Sequence, residues 1–464
     1  MATTTVSIGS NQSISTVTPA STSGSNPYVI TFTSTPSSNV AVGDIFVISD
    51  EASFFGTYTY LLTSISGSDY TLKQVSDGGT GMGDLSPYGN FHSYDDEFNP
   101  VQASGIFKRA FSTITLFEAM VDDSSPSYWG GSDDVVGELH ADSNFTDATV
   151  NFNQKQSLAS VKLTVNSGDR HDGTAESGAL WKPTANSGHG QGILRIDIDN
   201  MIVEWLDISL DSLDSRDTNR AIVLVGTNDD NIIRNNLIHD KGGNPGSQGP
   251  AGIQVLAAGA TSDTLSILNN IIYNFVETSG DHTVGINMNQ WQGTLYIYNN
   301  TLYNIVSNGG SKYAYGILFG SDSDNTTNIK NNIVAALNGS QERAYYKSNG
   351  SSTANTANNL SDDTATAAYD AEDMGQSLND SSALIGKTLA EIDFVSTSGG
   401  SEDLHLDTSS VCLEAGVDLG TINGVNIDID GVDRDATGVT WDIGADQAST
   451  PAAADTGAMF AIFD

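Results

Sequence analysis

The chain has 464 residues and carries 18 basic against 57 acidic side chains, a formal net charge of −39. A surface of that sign repels nucleic-acid phosphates and anionic membranes, so neither is expected as a partner. Hydrophobic residues still make up 38% of the chain in short regular runs, which excludes general disorder and indicates a buried core. Gly, Ser, Thr, Asn and Asp are abundant, a composition typical of short strands and tight turns, so the predicted class is all-β.

The single cysteine, Cys412, excludes an intramolecular disulfide and a paired-cysteine zinc site. Residues 1–22 lack the basic and apolar regions of a signal peptide, and no run of about 18 apolar residues occurs. The chain is therefore predicted to be made in the cytoplasm without a signal peptide. No nucleophile motif, phosphate-binding glycine loop or metal-binding histidine pair occurs, so no catalytic residue, cofactor or metal is assigned.

In chain order, residues 1–27 are rich in Ser and Thr and are predicted to form a flexible tail or a docking arm. Residues 28–76 contain short β-branched and aromatic runs and predict a small β-domain. Glycine is frequent in the stretch that follows, so 77–110 is expected to be a linker. A helical pattern then occurs at 112–120, with Thr115 and Glu118 as a predicted capping box, and this helix would close one end of the next domain.

An internal repeat dominates the region from 111 to 446. Four segments place an Asn pair between short apolar runs, at 232–238, 267–272, 297–302 and 329–334. A second series of strands, at 221–223, 252–255, 285–288 and 316–319, follows the same period of about thirty residues. Short β-branched runs exclude helical repeats, so we predict a parallel β-helix whose coils bury their inner faces by stacking. Residues 447–464 are expected to be a C-terminal tail.

The Asn pairs lie where one strand must bend into the next. The first Asn of each pair is predicted to adopt a left-handed backbone, which Asn tolerates better than most residues. Stacked amides would then bond along the coils as a ladder, in preference to a ligand role. Its predicted members are Asn235, Asn269, Asn299 and Asn331.

These repeats resemble the right-handed parallel β-helix superfamily, the pectate-lyase-like proteins, over residues 194–360, and 161–165 and 193–208 are similar to its first coils. The acidic, Gly-rich segment 403–446 resembles the closing segment of bacterial and phage members and is expected to cap the last coil. The resemblance implies a virion-surface protein, such as a capsid decoration, head fibre or tail spike, that contacts capsid or other virion proteins and a host glycan. Related phage proteins are often homotrimers, although no coiled-coil stretch enforces that state here.

Two other functions stay open, a polysaccharide-degrading tail spike and an extracellular bacterial adhesin. A glycosidase needs two carboxyl groups across a groove. Carboxylates beside the repeat loops are Asp229, Asp230, Asp263, Asp281, Asp322 and Asp324. His239 with Asp240, and Asp281 with His282, are candidate acid and base partners.

Aromatic side chains on the surface would bind sugar rings, and the predicted glycan or receptor contacts are Trp291 and Tyr313. Packing within the core or an aromatic stack is the alternative for this cluster. Asp428, Asp430 and Asp433 resemble part of a calcium loop but lack its distal Glu. A structural role in the closing segment is therefore favoured over a metal site.

Overall fold

The computed structural model of the chain is a parallel β-solenoid joined to a small antiparallel β-domain, and the predicted all-β class and parallel β-helix are confirmed. It describes residues 3–11, 13–17, 19–23, 28–49, 57–77, 105–122, 133–155, 158–184, 192–211, 213, 220–226, 229–241, 249–256, 260–278, 282–288, 290–308, 312–319, 326–348, 353–363, 369–371, 381–436 and 439–448. No helix in these ranges is long and apolar enough to cross a membrane.

Three sheets of parallel strands form the solenoid walls in the described part of the chain. The first sheet contains nine strands, Thr3–Ile8, Asp134–Leu139, Ser160–Val165, Met201–Glu204, Asn231–Arg234, Thr264–Leu268, Thr294–Tyr298, Thr326–Lys330 and Thr353–Ala357. The second contains eight, Val150–Phe152, Gly192–Ile196, Arg220–Leu224, Ala251–Val255, Thr283–Met288, Tyr313–Phe319, Gln341–Lys347 and Tyr369–Ala371. The third also contains eight, Leu180–Trp181, Asp207–Ser209, Leu237–Lys241, Ile271–Glu277, Thr301–Ser307, Ile333–Ala335, Leu360–Ser361 and Leu384–Ile385.

Identical residues at one register position build the core of the second sheet. The inward column contains Ile222, Ile253, Ile286 and Ile317, all 0% exposed. A glycine precedes the last three of these isoleucines. At Gly285 an added Cβ would lie 2.3 Å from the Leu302 side chain, so only glycine lets the second and third sheets approach this closely. The Gly-Ile pattern of the repeat therefore has a packing cause.

The strand Thr3–Ile8 belongs to the first sheet of the solenoid, which corrects the prediction of a flexible tail or docking arm for this part of 1–27. Thr3–Ile8 pairs in parallel with Asp134–Leu139, and Val6 and Ile8 are 0% exposed. Composition suggested disorder here, but Thr, Val and Ile are strand formers once a partner strand covers them.

The small β-domain is wider than the predicted 28–76. Its seven described strands are Ser15–Val17, Pro19–Ser23, Tyr28–Phe32, Ile45–Ser49, Thr57–Ser66, Asp69–Asp77 and Gly105–Lys108. Gly105–Lys108 pairs antiparallel with both Ser15–Val17 and Ile45–Ser49. The predicted linker 77–110 therefore ends in a strand of this sheet, and its residues 78–104 lie outside the described ranges.

The helix Ile114–Asp122 covers the first strand of the second sheet, as the predicted capping helix should. The Phe117 ring packs edge-on against Phe152 at 6.0 Å, and both Asp122 oxygens accept backbone N–H bonds from the residues just after Phe152. The predicted capping box is wrong, because Thr113 supplies the cap by accepting from Leu116 N at 3.1 Å. A capping box does occur at Thr388 and Glu391, before the short helix Leu389–Ile392, and a 3₁₀ turn forms at Ile422–Gly424.

The two residues of each Asn pair have different roles. The first adopts the predicted left-handed backbone, with φ of 54°, 53°, 54° and 55° at Asn235, Asn269, Asn299 and Asn331. The second forms the continuous ladder, with amide bonds of 2.9 to 3.0 Å along Asn236, Asn270, Asn300, Asn332 and Asn359. The ladder prediction named the wrong member of each pair. Within the described residues, only Asn299 and Asn269 of the first set bond to each other.

The first Asn of each pair instead holds a C-terminal strap, defined here as residues 411–436 and 439–448. Its backbone carbonyls accept from the Asn side chains, with Ala415 bonded to Asn358 at 2.8 Å, Val417 to Asn331 at 2.8 Å, Val425 to Asn269 at 3.1 Å and Ile427 to Asn235 at 3.0 Å. The strap therefore runs back along the flank from late coils to early ones. This corrects the prediction that the segment caps the last coil.

Candidate functional site

A cleft of about 620 Å³ lies on the flank of the solenoid, between the third sheet and a two-stranded hairpin. The hairpin strands are Phe394–Ser398 and Ser401–Leu406, and Phe394 packs edge-on against Tyr303 of the third sheet at 6.0 Å. The carboxylates that line the cleft are Glu176, Asp240, Glu402 and Asp403. Three distant parts of the chain thus supply one acidic surface.

His239 lies at the base of this cleft and is 1% exposed. Its Nε2–H donates to Asp207 and its Nδ1–H to Asp240, both at 2.8 Å, while its ring stacks on Tyr273 at 5.2 Å. Burial lowers the pKa of His239, but the hydrogen bonds and charges of the two carboxylates outweigh burial and raise it to about 9. His239 is therefore an imidazolium at neutral pH.

Asp240 is held in its ionised form at the edge of the cleft. Burial raises the pKa of its carboxyl, but hydrogen bonds from His239 and Asn274 outweigh burial, so the pKa lies below its usual value. The Asn274 amide donates to Asp240 Oδ1 at 2.9 Å and to Glu402 Oε1 at 2.8 Å. Because both oxygens bond to one nitrogen, they are at most about 5.7 Å apart. This upper limit is close to the roughly 5–5.5 Å spacing of the carboxyl pair in retaining glycosidases and is too short for the inverting arrangement.

Sequence reasoning named His239 and Asp240 as a pair, and the structure brings them together at this cleft. Three of the other candidate carboxylates, all within the described residues, lie elsewhere. Asp229 accepts from Thr264 N at 3.0 Å, Asp230 accepts from the Thr264 hydroxyl, and Asp263 accepts from Ala260 N at 2.6 Å. These three therefore hold turns before strands of the first sheet. Asp281, Asp322 and Asp324 lie outside the described residues.

The two predicted aromatic contacts differ in exposure. Trp291 is 0% exposed and belongs to the main hydrophobic core, so its assignment as a glycan contact is wrong. The turn that carries it folds inward because the indole can bury a large apolar area there. Tyr313 is half-buried, stacks on Tyr315 at 5.3 Å and on His282 at 5.2 Å, and its role as a contact stays a prediction.

Of the aspartates that resemble part of a calcium loop, Asp428 and Asp433 accept hydrogen bonds within the strap, and Asp430 bonds to His405 of the hairpin. Asp428 is 0% exposed and accepts from Val432 N at 2.6 Å and Gln447 N at 3.0 Å. In the described ranges one group has metal-site spacing, with ligand atoms of His405, Asp430 and Asp446 within 4.8 Å of one another. Burial lowers the pKa of His405, but its bonds to Asp430 and Asp403 raise it to about 10, so this ring is a cation among carboxylates.

We expect the protein to lose stability as pH rises from about 7 to 10. The folded pKa of His239 lies near 9, above its unfolded value, so its contribution is complete below about pH 6.5 and is lost as pH passes 9. The loss should reach about 2–3 kcal/mol. Urea unfolding at several pH values should show this slope in the wild type and a smaller one in His239→Gln, and equal slopes would refute the assignment. His405→Gln should remove the part of the slope that remains near pH 10.

Searches found no protein-family model and no curated protein that matches the chain. The solved structures that overlap it include the tailspike gp61 of Pseudomonas phage phi297, with 11% identity and a TM-score of 0.18 over 77% of this chain and 61% of that one. The tailspike gp49 of Pseudomonas phage LKA1 has 13% identity and a TM-score of 0.14 over 75% of this chain and 65% of that one. The chain thus spans less than two thirds of either tailspike, and the solenoid assignment rests on its own strand pairing.

Proposed function

We propose that this chain is a rigid surface module of a phage virion, of the tail-spike kind, that holds a host polysaccharide in the acidic cleft. The observation that carries the proposal is the cleft, whose volume of about 620 Å³ falls in the usual range for ligand sites. Its carboxylates and the hydroxyl groups of Thr174, Ser396 and Ser401 suit a ligand rich in hydroxyl groups, because carboxylate oxygens accept strong hydrogen bonds.

Rigidity supports a role as a projecting module. The buried amide ladder ties successive coils together, and Arg109 joins the small β-domain to the solenoid through Asp44 at 3.0 Å and Asp142 at 2.8 Å. A stiff rod with a compact domain fixed at one end suits attachment to another virion protein. The proposed location on a virion rests on the resemblance of the repeats to those of phage β-helix proteins. The overlap with the two tailspike structures is too slight to support it.

Binding to an array of bacterial surface polysaccharides tests the cleft, and mass spectrometry of gradient-purified particles tests the virion setting. We expect the chain to bind at least one polysaccharide and to be present at a few copies per particle. A few hundred copies would indicate capsid decoration instead, and detection on intact unlysed cells would favour the adhesin. Sedimentation velocity would test whether the chain forms a homotrimer, the state that the resemblance to phage proteins suggests.

Hydrolysis of the bound polysaccharide is a second candidate, favoured by the shared Asn274 amide that brings Asp240 and Glu402 together. An ionised Asp240 suits a base or nucleophile, and Glu402 would then donate the proton to the leaving oxygen. Water adds across the glycosidic bond, so each cleavage creates one new reducing end.

If the cleft hydrolyses polysaccharide, Asp240→Asn and Glu402→Gln should each reduce the release of reducing ends about 100-fold or more. Asp69→Asn, at the exposed start of a strand of the small β-domain, removes the same charge and should leave the rate unchanged. Equal rates in all three variants, with release well above background, would place the chemistry elsewhere. Binding without any release would leave a binding module.

A further inference from the structure

We infer that the cleft selects polysaccharides whose bound segment carries no acidic groups, an inference that rests on the proposed glycan binding. Recognition of a sugar carboxylate or phosphate normally uses a lysine or arginine that is free to pair with it. Among the described residues that line the cleft, His239 is the one cation, and both its nitrogens already bond to carboxylates.

The cations beside the cleft are engaged in the same way. Lys182 Nζ lies 2.8 Å from Asp211 and 3.5 Å from Glu176. His405 lies 2.5 Å from Asp403 and 3.1 Å from Asp430. An acidic sugar would have to displace one of these internal partners, and the displaced carboxylate would stay nearby.

Electrostatic repulsion is a second reason why an acidic sugar should bind weakly, besides the lack of a free cation. The carboxylates that line the cleft focus a negative potential into it, and the whole chain carries a net charge of −39. Bringing a sugar carboxylate into such a site removes its water without supplying an opposite charge, which is costly. Acidic polymers should therefore associate more slowly with the cleft and bind it with lower affinity than neutral ones.

Neutral sugars meet suitable acceptors in the same cleft. Glu402 accepts one bond from Asn274 at 2.8 Å and one from Gly400 N at 2.9 Å. The two oxygens of a glutamate side chain offer up to about four acceptor positions, so about two remain for sugar hydroxyls. The fixed amide and glycine bonds also hold this side chain in place before the ligand arrives, which reduces the entropy lost on binding.

A matched array tests the inference. It carries neutral polysaccharides, acidic polysaccharides, and each acidic one again after its carboxyl groups have been reduced to alcohols. We expect binding to neutral and reduced members, with the parent acids bound at least about tenfold more weakly at low salt and the difference shrinking as salt screens the charge. Tighter binding to a parent acid than to its reduced form, with or without calcium, would overturn the inference and leave the proposed function intact.

A charge-removing variant separates the cleft from the rest of the surface. Glu176→Gln, whose side chain is 59% exposed, should raise the affinity for the parent acids about 3-fold or more at low salt. The control Asp69→Asn should not, since Asp69 lies in the small β-domain. An equal gain in both variants would mean that net charge alone causes the discrimination and would overturn a selective cleft. Binding to no member of the array would instead reject the proposed function.

Discussion

Replacing Arg109 by alanine is expected to lower the free energy of unfolding by about 3–5 kcal/mol, because it leaves a buried charge without its partner. Arg109 is 3% exposed and Asp44 is 0% exposed. Burial keeps the pKa of Asp44 above its usual value even beside the guanidinium, so the carboxylate depends strongly on that neighbour. Loss of Arg109 should also loosen the junction between the small β-domain and the solenoid, because Asp142 lies on the solenoid side.

Urea unfolding, followed by tryptophan fluorescence, measures this effect. Lys387→Ala provides the control, since its pair with Glu391 at 3.6 Å lies at the surface, where solvent screens the attraction, and its loss should have little effect on stability. The double variant Arg109→Met/Asp44→Asn removes both charges and should recover part of the loss. An Arg109→Ala protein as stable as Lys387→Ala would show that the ion pairs do not stabilise this junction.

The repeat allowed most of the solenoid to be predicted, because its signals are local. Alternating apolar residues and a constant period define the strands and their register, and an Asn at a sharp bend indicates a left-handed backbone. The choice between the two Asn residues of a pair could not be made this way. Asn269 and Asn270 have identical side chains, and only the backbone conformation at the bend determines which of them points into the amide ladder.

Partners distant in sequence explain the other errors. Thr3–Ile8 is a strand only because Asp134–Leu139 lies beside it, and a Ser/Thr-rich stretch gives no sign of that partner. The strap was recognised as a distinct acidic segment, but its bonds to Asn235 and Asn331 join positions 192 and 86 residues apart. Such pairings depend on the folded solenoid, which must exist before the strap has a surface to bind.

Only part of the cleft could be predicted from the sequence. His239 and Asp240 are neighbours in the sequence and were predicted as a pair. Glu402 is joined to Asp240 only by the Asn274 amide, which donates to both side chains, and it lies in a hairpin 128 residues after Asn274. One overlooked signal was present. Asp240, Asn274 and Asn304 occupy equivalent positions after an aromatic or His residue, and all three have a left-handed backbone, with φ of 61°, 56° and 54°. A second series of bends could therefore have been predicted, and with it the position within each repeat at which the cleft lies.

The buried amide ladder should contribute more to stability than any exposed Asn contact. Asn300 is 0% exposed, donates to Ile267 O at 2.9 Å and to Asn332 Oδ1 at 3.0 Å, and accepts from Asn270 Nδ2 at 3.0 Å. Asn300→Ala would leave several buried groups without partners, each costing about 1–3 kcal/mol, so a loss of about 3–5 kcal/mol is expected.

Asn355→Ala supplies the matched control, because its amide bonds to Asn328 at 3.1 Å on the exposed outer face, and a change within about 0.5 kcal/mol is expected. Hydrogen exchange gives a second measurement. Coils contact only their neighbours, so exchange in Asn300→Ala should increase most in the adjacent coils, around Asn270 and Asn332. A loss no larger than that of Asn355→Ala would mean that strand pairing and the isoleucine core alone hold the coils together, and that the Asn pairs serve mainly to shape the bend.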